Sequence, residues 1–178
     1  MKALPSTSWS LLVALALSAS LVGCDGRPHS KVAGYSWSSL YRQDIRTIAV
    51  PIFRNVDYSR GDEFALTRAI VQQIETKTPY KVVSRERADS LLEGEIVSVT
   101  LGGISRDSLS ALPMEQLYTV TVNFTWKDLR TGQVLVERKG FQHAVSMFPT
   151  LGESRETGQQ LNAEALATAI VQELQGDW

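Results

Sequence analysis

Few side chains in this sequence can do chemistry, and they are scattered. The chain holds two histidines, His29 and His143, and one cysteine, Cys24. A zinc site needs clustered Cys, His or carboxylate ligands, and neither a second cysteine nor an H-E-x-x-H motif is present. A serine nucleophile on a strained elbow would read G-x-S-x-G, which is also missing. His143 falls late in a stretch of strand-like patterning, where a structural or surface role is the simpler reading. Glu93 and Glu95 stand two apart, so on a strand they share one face, as a glycosidase acid–base pair would. Two solvated carboxylates on a sheet give the same pattern far more often. Gly102-Gly103 opens no helix and therefore makes no phosphate loop. Lys81, Arg85 and Arg87 suit a phosphate or lipid headgroup, although Glu86 inside the run favours a solvated segment. We expect no catalytic residues, no metal site, no cofactor and no enzymatic activity.

The 178 residues are 43% hydrophobic and 21% charged, with 12 Gly and 6 Pro. Those values exclude a disordered, collagen-like or polytopic membrane chain. Eighteen basic and nineteen acidic side chains leave a net charge of −1, which gives no general attraction to nucleic acid. The length allows one domain with a small appendage, enough for a real core. A single cysteine permits no intramolecular disulfide.

The N-terminus points to export. Residues 1–10 carry one basic residue, Lys2, and no acid; Leu11 to Val22 then supply 12 apolar or small residues before Gly23-Cys24. A membrane-spanning helix needs roughly 20, so this run reads as a secretory signal rather than a span. Leu21-Val22-Gly23-Cys24 resembles the bacterial lipobox, in which the signal, here residues 1–23, is removed and the cysteine is acylated. A plain signal peptide ending near a chance cysteine is the alternative; the position of the chain's only thiol favours lipidation of Cys24. Each buried acyl methylene contributes about 0.8 kcal/mol, so several chains anchor firmly. Residues 24–43, rich in Ser and Gly, read as the lipidated terminus and a flexible tether, which leaves 44–178 as the folded domain.

Within that domain, Ile45 to Phe53 reads as a strand that ends near Pro51. Asp62 is a plausible N-cap for a helix carrying Phe64, Leu66, Ile70, Val71 and Ile74 and closed by Pro79. Tyr80 to Ser84 is a short strand. In Leu91 to Leu101, Leu92, Gly94 and Ile96 take one face and Val97, Val99 and Leu101 the other, a switch that suggests a bulge, a twist, or a strand whose far end is apolar on the opposite face. Gly102 to Pro113 reads as a loop. Tyr118, Val120, Val122, Phe124 and Trp126 alternate with Thr119, Thr121, Asn123 and Thr125, which predicts a strand with one buried face. Leu129 to Gly132 makes a hairpin turn into Val134 to Val145. Leu166, Ile170 and Leu174 then mark a last helix. The fold class expected is α+β: a two-layer sandwich with two helices on one face of a mixed sheet of about four strands.

These features together resemble the lipopolysaccharide-assembly lipoprotein family LptE. The matching residues include Gly34-Tyr35, the strand end from Ala49 to Asn55, Arg60-Gly61, and Glu63 to Thr67. Thr78 to Val83, Ala88-Asp89, Gly94 to Ile96 and the turn from Trp126 to Gly132 follow, with the closing alanine-rich helix. The resemblance implies a lipid-anchored protein on the periplasmic face of the outer membrane. It implies binding to a barrel of the LptD type, help in that barrel's assembly, and delivery of lipopolysaccharide to the outer leaflet. Asp25, directly after the cysteine, favours inner-membrane retention in enterobacterial-type sorting, so both membranes stay open. The strand–loop–helix–strand run also looks like partner-binding units of TolB and CsgG-type envelope lipoproteins, the alternative class. The partner face is expected near Val97, Val99 and Leu101, an apolar strand end with no helix over it. Arg54 and Arg60 are the candidates for lipid-headgroup contact, since arginine pairs with phosphate bidentately.

Overall fold

The computed structural model describes residues 40–106 and 113–175. Cys24, Asp25, His29, the signal segment and the tether up to residue 39 lie outside the described residues. In chain order the elements are β1 (Thr47–Ala49), β2 (Arg54–Asn55), α1 (Asp62–Lys77) and β3 (Lys81–Val82), then a 3₁₀ turn (Arg85–Arg87). After it come β4 (Ser90–Arg106), β5 (Pro113–Asp128), β6 (Val134–Met147), a second 3₁₀ turn (Pro149–Leu151) and α2 (Arg155–Gln172). Two helices against a mixed sheet is the architecture expected, but among the described residues the sheet has six strands, more than the four or so expected. They run β3-β1-β4-β5-β6, with β2 beside β4. The pairs β1–β3, β1–β4 and β2–β4 are parallel, and β4–β5–β6 form an antiparallel meander.

The extra strands come from the first segment. Ile45 to Phe53 is not one strand: pairing stops after Ala49, ahead of Pro51, and resumes where Arg54 and Asn55 meet Glu95 and Ile96 of β4. Proline has no N–H to give a ladder. The crossing is tied down by side chains. Thr67 Oγ1 accepts from Phe53 N at 3.0 Å, and the Asp89 carboxylate accepts from Arg46 N and Thr47 N at 3.0 Å each. Those bonds to backbone N–H, with the Thr47 hydroxyl, hold the Asp89 carboxyl below its ordinary pKa.

In α1, Leu66, Ile70 and Ile74 are buried, whereas Phe64 points outward with 54% of its surface exposed and Val71 is half-buried. The N-cap is Gly61, at φ 99°, and not Asp62. Asp62 is the first helical residue, and its buried carboxylate accepts from the Tyr118 hydroxyl at 2.6 Å. Glu63 serves the helix end instead, accepting from Gly61 N at 3.0 Å and Asn55 Nδ2 at 2.8 Å. α2 is capped by Ser154, whose Oγ accepts from Thr157 N at 3.4 Å. Its residues Leu166 and Ile170, with Leu174 just past its end, have no exposed surface. Asn162 is equally buried and donates through Nδ2 to Tyr118 O at 3.0 Å and His143 O at 2.8 Å, pinning α2 to β5 and β6.

Tyr118, Val120, Val122, Phe124 and Trp126 are all buried in the core, as the alternation predicts. Phe124 meets Phe141 of β6 edge-on at 5.5 Å, and Trp126 meets Tyr80 at 6.0 Å. Two expectations for β4 are corrected. Gly102 to Arg106 is strand, not loop, paired with Pro113 to Leu117 of β5; residues 107–112 of the expected loop lie outside the described residues. The change of phase marks a bulge, as expected, but the apolar residues beyond it do not change face. The register slips between Ile96 and Ser98, so Val97 is the bulged residue, and Val99 and Leu101 then stand opposite Val120 and Tyr118. Directly opposed residues share a face, so Val99 and Leu101 lie on the helix side with Ile96. The extra residue in a bulge restores the phase that strict alternation loses. Asp57 secures the site, its carboxylate accepting from Val99 N at 2.6 Å, while Val56 N donates to Ile96 O.

Candidate functional site

The sheet face turned away from the helices carries the other half of each alternation. On β5 these are Thr119, Thr121, Asn123, Thr125 and Lys127, all half-buried. Glu93 and Glu95 of β4 stand opposite Thr125 and Asn123. The two carboxylates share this face, as expected, and each is engaged: Glu93 pairs with Lys127 at 2.7 Å, and Glu95 accepts from Asn123 Nδ2 at 3.2 Å. They form the floor of an open trough of about 600 Å³. Arg54 of β2 and Arg85 of the 3₁₀ turn border it on one side, with Ile52, and Glu137 to Lys139 of β6 border the other.

Charge pairing around the trough is uneven. Lys139 meets Glu137 at 3.1 Å, and Arg138 meets Glu173 at 2.6 Å beyond the end of α2. Among the described residues Arg54 and Arg85 have no ion-pair partner, and both are exposed. The sequence places these arginines thirty-one residues apart and groups Arg85 with Lys81 and Arg87; the fold instead brings Arg85 to the same trough as Arg54. Arg60, exposed in the loop before α1, does not line the trough. Lys139 and Arg138 were not singled out from the sequence, although three charges followed by a glycine inside a strand mark a bulge. Gly140, at φ 65°, is that bulge, and its N–H donates to Asn123 Oδ1 at 2.8 Å.

Val97, Val99 and Leu101 do not form one patch. Val97 bulges at the β2 side and Val99 packs partly against the core. Leu101 leads instead into a set of exposed apolar side chains at one end of the sheet: Leu101 at 47%, Ile104 at 56% and Met114 at 45%. Tyr58 and Leu151 are also exposed.

The His143 Nδ1 is buried without a hydrogen-bond partner, with no serine or carboxylate on it. Among the described residues no group of three metal-ligating side chains comes together. Tyr118 is pushed up to about 12 by burial and by the Asp62 carboxylate, and Tyr80 to about 12 by burial, so both are neutral structural phenols. At the opposite end from the apolar set, Arg130 beside Asp128 holds that carboxyl down at about 2. The carboxylate also accepts from Arg130 N at 2.8 Å, which fixes the β5–β6 turn. No helix among the described residues is long and apolar enough to cross a membrane.

None of the curated proteins compared matches the chain. Solved structures do. The PelC dodecamer from Paraburkholderia phytofirmans is 14% identical, with 76% of this chain and 93% of that one covered at a TM-score of 0.50. The hypothetical protein CT253 from Chlamydia trachomatis is 11% identical, covering 71% and 94% at 0.51. An uncharacterised lipoprotein B from Nitrosomonas europaea is 12% identical, covering 72% and 81% at 0.50. At such identities the likeness is one of fold alone. The family model for LptE, lipopolysaccharide assembly, matches residues 45–177, nearly the whole folded domain. The chain belongs to the LptE lipopolysaccharide-assembly family.

Proposed function

We propose that this protein is a lipid-anchored assembly factor of the outer membrane. It binds a β-barrel partner of the LptD type and assists delivery of lipopolysaccharide to the outer leaflet, by binding and without chemistry of its own. The observation that carries the reading is the family match across residues 45–177. The lipobox supports the anchor: signal peptide 1–23, acylated Cys24, and a tether to residue 43 that lets the domain reach a partner above the membrane plane. The exposed apolar end formed by Leu101, Ile104 and Met114 is the surface proposed for the barrel, with Val97 and Val99 farther along the strand that carries Leu101. Arg54 and Arg60 are proposed to meet lipid headgroups.

The test is depletion of the protein followed by measurement of folded barrel and surface lipopolysaccharide, with recovery of its partner by mild detergent extraction. We expect both levels to fall and a barrel protein to co-purify. Normal levels after complete removal would overturn the assembly role, and recovery of a ring of this chain alone would move the reading to the CsgG-type class. Mass spectrometry should find diacylglyceryl on Cys24, with Cys24→Ala left unprocessed or soluble; a mature chain starting elsewhere refutes the anchor.

A further inference from the structure

We propose that two copies of this chain join edge to edge through β6, as an antiparallel pair centred on Ala144, so that two sheets become one. The occupant of the open edge is a second copy of the same chain. The pair goes beyond the assembly reading and does not rest on it.

The sheet has two very different edges. At one side β3 is only Lys81–Val82; at the other, β6 runs from Val134 to Met147 with β5 as its one strand neighbour among the described residues. A long bare edge invites strand pairing, and charges, bulges or proline guard it. Glu137, Arg138, Lys139 and the Gly140 bulge guard the first half of β6, and Pro149 stops pairing just past its end. Residues 141–147 in between hold no Asp, Glu, Lys or Arg. The direction of their backbone groups follows from the ladder. The Val99 N–H donates to Asp57, so Val99 stands opposite Val120 without ladder bonds, and Val120 turns its own N–H and C=O toward His143. The Asn162 amide agrees, since it reaches both Tyr118 O and His143 O over the gap between β5 and β6. Successive residues alternate, so Gln142, Ala144 and Ser146 turn N–H and C=O to the free edge.

That edge is complementary to itself. About a two-fold axis at Ala144, Gln142 meets Ser146 of the second copy and Ala144 meets Ala144, so the outward groups of each copy satisfy the other's. On the helix side Phe141 comes opposite Met147, and His143 opposite Val145. The Gly140 bulge of each copy falls opposite Phe148 of the other, just before Pro149, so the ladder ends where both strands already stop it. This axis is normal to the sheet and keeps both helix layers on one face. Leu161, Ala165, Ala169 and Glu173 form an i, i+4 row on α2. Glu173 reaches Arg138 of β6, which puts the row along the open edge, and Leu161 is 44% exposed. In the pair the two rows face each other across the axis. A foreign strand would satisfy the ladder but leave these rows bare; a second copy covers both.

The test uses the full-length protein in an excess of detergent micelles, followed by sedimentation velocity across micromolar concentrations. Wild type should pass from one copy to two as concentration rises, and its melting temperature should rise with it. Ala144→Pro removes an outward N–H and spares the β5 ladder, a place where an edge strand tolerates proline. It should raise the dissociation constant about tenfold or more and make melting independent of concentration. Ala144→Lys, which sets like charges against each other at the axis, should do the same without altering the backbone. Cysteines read the register. Opposed Cα atoms in a hydrogen-bonded pair lie about 5.5 Å apart, within disulfide reach. Ala144→Cys should therefore link two copies on mild oxidation, above the background of wild type, whose only cysteine is Cys24. Gln142→Cys should not, because its counterpart lies four residues along, about 13 Å away; Gln142→Cys/Ser146→Cys should restore the link. One copy at every concentration overturns the proposal, as does a pair that survives both Ala144 variants or links equally through Gln142→Cys alone. A larger ring, or β6 paired only with another protein, overturns it too. Whether a barrel co-purifies bears on the assembly reading alone.

Discussion

Gly94→Ala should damage this fold far more than its single methyl suggests. A Cβ at Gly94 would lie 2.5 Å from Phe53 Cε1, 2.6 Å from the Asn123 carbonyl oxygen and 3.0 Å from Phe124 Cβ. Comfortable carbon contacts are about 3.5–4.0 Å, so the overlap approaches 1 Å against the first two atoms and about 0.5 Å against the third. The Asn123 oxygen is backbone and can retreat only if β5 parts from β4. The Phe53 ring is itself buried, on the segment that Thr67 ties to α1. Overpacking costs about 1–3 kcal/mol, and a backbone clash sets this case at about 3 kcal/mol. At about 4 °C per kcal/mol for a domain of this size, the melting temperature should fall by about 12 °C. Thermal melts followed by circular dichroism, with urea unfolding at 25 °C, measure both quantities. Gly102→Ala is the internal control: nothing lies within 4 Å of its added Cβ, and its stability should stay within about 0.5 kcal/mol of wild type. If Gly94→Ala melts within about 2 °C of wild type, or if the two variants shift alike, the packing of Phe53 over β4 is wrong.

Other perturbations follow from the same contacts. Phe124→Ala, which empties a buried site against Phe141, should cost about 3–5 kcal/mol by urea unfolding. Thr121→Ala on the open face should cost far less, and equal losses would invert the face assignment. Asn162→Ala removes the bridge from α2 to the β5 and β6 carbonyls and should cost about 2 kcal/mol; a neutral result would show that the bridge is idle. The Asp128 carboxyl, held at about 2 by Arg130, binds its proton less readily folded than unfolded. Its contribution is therefore present above about pH 4, the ordinary carboxylate range, and is lost as pH falls toward 2. Asp128→Asn should flatten that part of the pH–stability curve, and an unchanged acid limb would refute the pairing.

Local chemistry alone specified much of this protein. The alternation from Tyr118 to Trp126 could bury only one side, because side chains on a strand point to opposite faces in turn. The row Leu166, Ile170, Leu174 and its flanking Ala163, Ala167 and Val171 can face one core together as a helix, whereas a strand would turn the two sets to opposite sides. The family resemblance, which the match over residues 45–177 bears out, rests on the same kind of local motif. Pairing across the chain decided the rest. The change of phase after Ile96 signals a bulge, but the face that Val99 and Leu101 take beyond it is set by where β5 and Asp57 take up hydrogen bonds. Asp62 reads as a helix cap, yet Tyr118, fifty-six residues away, claims its carboxylate. Arg54 and Arg85 become neighbours of one trough only when β2 and the 3₁₀ turn flank β4. Periodicity reports which face of an element is buried; register and crossover, which depend on contacts far apart in sequence, determine which side chains meet on it.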